Sequence, residues 1–171
     1  MTITFNDRAR AFARQAKADF ESRDVLDLKD SPESQHLHFL QMACEKLCKA
    51  HYFHHGGTLP SGIESSHALI AKRLPQIIRD VLRDDIAVSG KSRSVILRGV
   101  AGFAREIELL APAVDANGAR PDNCEYPWVD ATGVLQVPAE YDFLNLRFCQ
   151  KEFGRVFLRL IRQAIAELTD I

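Results

Sequence analysis

The chain has 171 residues, 46% of them hydrophobic and 26% charged, which fits one globule with a sizeable core and argues against a second domain. Its 22 Lys and Arg against 23 Asp and Glu give a formal charge of -1, so recognition of nucleic acid or membrane by bulk charge is disfavoured and any such contact must be a local patch. The opening residues MTITFNDRARAF lack a signal-like apolar run, no stretch is long and apolar enough to span a bilayer, and the four cysteines include no CxxC pair, so a cytoplasmic chain with reduced thiols and no membrane partner is expected.

Asn6 or Asp7 is expected to cap a first helix reaching about Leu26, because Ala9, Phe12, Ala13, Ala16, Phe20 and Val25 recur at helical spacing. Ser31-Pro32-Glu33 reads as a cap with proline in the first turn, followed by a stripe of Leu37, Leu40, Ala43, Cys44 and Leu47 and a stop at Gly56-Gly57. A third helix is expected from Ser65 or Ser66 to about Asp85, with a break or kink near Leu74 where Pro75 removes an amide donor. Ser92 or Ser94 opens a fourth, whose Val95, Ile96, Gly99, Val100, Phe103, Ile107 and Leu110 make a broad apolar face ending at Ala111-Pro112. Residues 112–137 dissolve into turn formers, within which residues 134–137 are expected to pair with a strand near 126–129. Pro138 starts a helical turn, and a final helix carries Phe153, Val156, Phe157, Leu160, Ile161, Ala164, Ile165 and Leu168. The expected fold is an all-α bundle of about five or six helices forming one domain over residues 1–171. An irregular loop at about 112–137 interrupts it, with room for a small β-hairpin.

Three groups of residues invite chemistry. Cys44, Cys48, His51 and His55 fall on one side of the second helix, and thiolate and imidazole ligands suit zinc. A straight helix offers one ion only two of them, so His54 or His67 would have to complete the set. The preferred reading makes the cysteines small core residues, predicts no cofactor, and keeps Cys48, His51 and His55 as weak metal candidates. The loop collects Arg120, Asn123, Glu125, Tyr126 and Trp128. Arg120 would meet a phosphate or carboxylate, Asn123 a polar edge and Trp128 a base, or Trp128 and Tyr126 would staple the loop while Asn123 satisfies its backbone. His67, at the start of the third helix, either fixes that turn or acts in acid–base catalysis with an acid partner. A basic line of Lys151, Arg155, Arg159 and Arg162 reads as a solvated face.

The segment Ala43-Cys44-Glu45-Lys46-Leu47-Cys48-Lys49-Ala50, the glycine break after it, and Ser66-His67-Ala68-Leu69 together resemble the central helices of HEPN domains (higher eukaryotes and prokaryotes nucleotide-binding). The resemblance covers about the first half of the chain, starting near Ala16-Lys17-Ala18-Asp19-Phe20. It implies a helical bundle, a nucleotidyltransferase or toxin–antitoxin-type context, and ribonuclease activity where the family's arginine is followed, after four to six intervening residues, by a histidine. This chain departs from that pattern: all six histidines lie between His36 and His67, and no arginine occurs between Arg23 and Arg73.

The leading expectation is therefore a non-catalytic HEPN-like module that binds a protein partner or a nucleotide ligand, with homodimerisation through bundle helices as a further option. The alternatives are an RNA- or nucleotide-processing enzyme using the 112–128 loop with His67, and a bundle stabilised by zinc. No P-loop, Rossmann, GxSxG or HExxH motif is present.

Overall fold

The structure is a computed structural model describing residues 3–29, 31–55, 67–84, 90–114, 122–144, 146 and 152–171. It is an all-α bundle: α1 (Phe5–Asp27), α2 (Glu33–His54), α3 (Ile70–Asp84), α4 (Gly90–Glu108) and α5 (Glu152–Thr169) surround one core. Between α4 and α5 lie β1 (Trp128–Val129), β2 (Leu135–Gln136) and a 3-10 turn at Pro138–Glu140. The strands pair antiparallel, Trp128 opposite Gln136 and Val129 opposite Leu135, so the expected hairpin forms within the expected segment. No helix among the described residues is long and apolar enough to cross a membrane.

Helix α1 lies along α2, α3 packs on α4, and α5 closes the bundle against α1 and α3. The stripes read from the sequence supply the contacts: Ala9, Ala13, Ala16 and Phe20 from α1, Leu37, Leu40, Ala43, Cys44 and Leu47 from α2, and Val100, Phe103 and Ile107 from α4 are all buried. Phe103 meets Phe157 of α5 edge to face at 4.0 Å, a favoured aromatic geometry. Gly99 makes room for another α5 ring, Phe153, since a Cβ there would stand 2.2 Å from its Cζ. Val25 and Val95, which the periodicity placed on core faces, are exposed near the helix ends instead.

The helix boundaries correct several expectations. The cap of α1 is Thr4, whose hydroxyl accepts from the Asp7 amide while the Asp7 carboxylate accepts from the Thr4 amide, a reciprocal capping box. Helix α2 begins at Glu33 with no side-chain cap, its N-cap position being Pro32 rather than Ser31. Helix α3 continues through Pro75. The proline falls in its second turn and costs the single bond to the Ala71 carbonyl, while Leu74, Ile77, Ile78, Val81 and Leu82 bury their side chains around it and hold the helix together. Helix α4 begins at Gly90, before either serine. Ser65, Ser66 and the Gly56-Gly57 stop lie outside the described residues.

Candidate functional site

Helix α2 carries two polar clusters on its buried length. The first is centred on Glu45, almost fully buried in a stretch where residues 43–45 and 47–51 are all buried. Lys49, one turn on and buried as well, places Nζ 2.7 Å from Glu45 Oε1, and Lys46 approaches the same oxygen at 3.3 Å. The other oxygen, Oε2, accepts from His67 Nδ1. A carboxylate can only accept, so Nδ1 of His67 is the donor in this contact. Burial raises the Glu45 carboxyl pKa, but the Lys49 hydrogen bond and the charges of Lys46, Lys49 and His67 outweigh it and hold the group below its ordinary value. His67 thus has the acid partner that an acid–base role requires, and it fixes its turn through a side chain rather than through a backbone group.

A similar device follows immediately in the chain. Glu108, at the end of α4, accepts from the Ala71 amide at 2.9 Å and so satisfies a free donor of the first turn of α3. Burial raises its pKa, against the lowering effect of the amides of Ala71 and Ile70.

The second cluster lies at the C-terminal end of α2. His51 and His55, one turn apart, bring their Nε2 atoms to 3.1 Å. Asp80 of α3 faces them, its Oδ2 3.5 Å from His51 Nε2, and one donor atom of each of the three lies within 4.8 Å of the others. Burial foremost, and next the His55 charge, lower the His51 pKa to about 4 against the opposing pull of Asp80, so the ring is neutral at neutral pH. His54 stands beside His55 at the mouth of the same cleft. Cys48 does not join this group. It is fully buried in the core, and burial drives its thiol well above the ordinary value, away from the thiolate that binds metal. Cys44, Cys48 and Cys124 are free thiols.

The loop residues divide by orientation. Asn123 is buried, and its Oδ1 accepts from the amides of Glu125 and Tyr126 at 2.8 and 2.7 Å, an Asx turn that closes the loop on itself. Trp128 is also buried, edge-on to Tyr141 at 4.8 Å, which in turn meets Phe143. Both residues act as fasteners. Tyr126 is exposed, and Glu125 approaches His38 of α2 at 3.9 Å. Arg120 lies outside the described residues. The loop therefore rests on α2 near His38, whereas His67 binds Glu45 seven residues further on, roughly 10 Å along the axis. On the basic line, Arg162 is engaged by Asp24 at 2.6 Å and lies over the Phe20 ring, while Arg155 and Arg159 are exposed.

Sequence reasoning missed Glu45, Asp80 and Glu108. The spacing of Glu45 and Lys49 by four residues was a visible signal. Asp80 had none that pointed to His51 and His55, because those two belong to another helix. Comparison of the chain with protein-family models, curated proteins and solved structures returns no match.

Proposed function

We propose that this chain is a HEPN-like interaction module that presents its hairpin to a protein partner. One observation carries the reading: the hairpin turns its fasteners inward and its aliphatic side chains outward. Val129, Val134, Leu135 and Val137 are exposed beside Tyr126 on a segment pinned by buried Trp128 and Asn123. An apolar, aromatic-bearing patch on a fixed base is what partner recognition uses. Residues 122–144 contain Asp122, Glu125, Asp130, Glu140 and Asp142 and no Lys, Arg or His, so the rim is acidic. Phosphates would meet carboxylates there, whereas a protein segment combining apolar side chains with Lys or Arg is complementary.

Panning a displayed library of random peptides against the intact chain tests this. The expected yield is apolar peptides rich in Lys and Arg, lost on a Val129→Ser, Leu135→Ser variant whose fold is unchanged because both positions are exposed. Acidic peptides, equal recovery on the variant, or self-association through the hairpin would overturn it.

The pairing of His67 with Glu45 favours a second reading, acid–base processing of RNA or a nucleotide, with Glu45 orienting the ring and Nε2 taking a proton. Metal-independent cleavage of RNA that vanishes in His67→Ala would establish it. Cleavage that persists in that variant would remove it.

A further inference from the structure

We propose that His51, His55 and Asp80 form a binding site for a divalent first-row transition cation, zinc foremost, clamping the end of α2 to α3. Zinc bonds of about 2.0–2.1 Å to nitrogen and oxygen set neighbouring ligand atoms about 3.3 Å apart around a tetrahedral ion. Two edges, 3.1 Å between the imidazole nitrogens and 3.5 Å from His51 to Asp80, bracket that value, and the three donor atoms all lie within 4.8 Å of one another. Two histidines one turn apart on a helix are the pair that a single ion can span, and a carboxylate from a second element supplies the third ligand.

Asp80 is built for the task. Its Oδ1 accepts from Arg83 at 2.5 Å, which orients the carboxylate and leaves Oδ2 toward His51. The site opens into a cleft bordered by His54, Ile77, Val81, Glu167 and Leu168, so the fourth coordination position faces solvent and takes water. Among the described residues His51 Nδ1 is buried with no hydrogen-bond partner, so none of them gives this ring the outer support that commonly strengthens a metal-bound imidazole, an omission associated with about 10–100-fold weaker binding. The affinity expected is accordingly well below that of a closed structural zinc site.

The test is titration of the intact chain, freed of metal by a chelator, with Co²⁺ followed by visible absorption and then by displacement with Zn²⁺. The expected result is one equivalent of cobalt with the intense d–d bands of tetrahedral coordination, no thiolate charge-transfer band, and displacement by zinc. Affinity should fall at least tenfold in His55→Ala and in Asp80→Asn, two variants at accessible positions whose helix content circular dichroism should find unchanged. No binding by the wild-type chain, a thiolate band, or wild-type affinity in both variants would overturn the site.

Discussion

The two clusters of α2 sit two turns apart on one helix and solve the burial of polar groups in opposite ways. Glu45 is closed: both of its oxygens are taken, by Lys46 and Lys49 on one side and His67 on the other, and the opposing charges keep it ionised inside the core. The His51 cluster is open: two imidazoles and a carboxylate gather around a space that a cleft reaches, and His51 keeps a nitrogen without a partner among the described residues. A polar group that serves folding has its partners supplied by the chain, whereas donors converging on a cleft serve whatever enters it.

The sharpest way to break this contrast is to remove one member of the closed cluster. Glu45→Ala leaves Lys49 charged and buried, and should cost about 3–5 kcal/mol by urea denaturation, while Glu45→Gln combined with Lys49→Met should cost much less because no charge is stranded. A Glu45→Ala loss below about 1 kcal/mol would show that the pair is not holding the core. Next in size, Glu108→Ala should cost about 1–2 kcal/mol by uncapping α3, read in the same denaturation series. In the open cluster, His55→Ala and Asp80→Asn should change the stability of the metal-free chain by less than about 0.5 kcal/mol while abolishing its stabilisation by zinc, a separation that thermal melts with and without metal resolve.

The smallest effect belongs to a third carboxylate. Asp130 is half-buried, and its hydrogen bonds with Thr132, Gln136 and Val134 hold its pKa far below the ordinary value. A depressed carboxyl contributes stability above its unfolded pKa and loses it as pH falls through the folded one. Hydrogen exchange at the Thr132 and Val134 amides should therefore be protected near neutrality and accelerate below about pH 4, relative to amides at the centre of α2. Uniform acceleration in both places would mean global acid unfolding instead. Gly133, with φ at +85°, belongs to the same turn, and Gly133→Ala should cost about 1 kcal/mol.

The stripes of α1, α2, α4 and α5 were legible in the sequence because burial of one helical face leaves a 3.6-residue period, and the hairpin because turn formers flank two short β-prone runs. The errors are local contests decided by tertiary context. The expected break or kink at Pro75 is no break, because the packing of Leu74 and Ile78 outweighs one lost hydrogen bond, and α1 is capped by Thr4 because Asp7 completes a capping box rather than capping alone. Of the candidate residues, His51 and His55 were legible as a helical pair, but the third ligand, Asp80, comes from packing of α3 on α2, and no spacing along the chain encodes that. Whether Trp128 and Asn123 faced a ligand or their own loop was undecidable from residue type, since an aromatic ring and an amide serve either purpose equally well.

The hairpin has one further consequence. Across the bond between Trp128 and Val129 the chain passes from a side chain locked in the core to one open to solvent. Packing and exposure alternate along the same strand. Natural variation at Tyr126, Val129, Val134 and Leu135 can then drift or be selected without eroding the bundle, so the surface can change while the scaffold stands still.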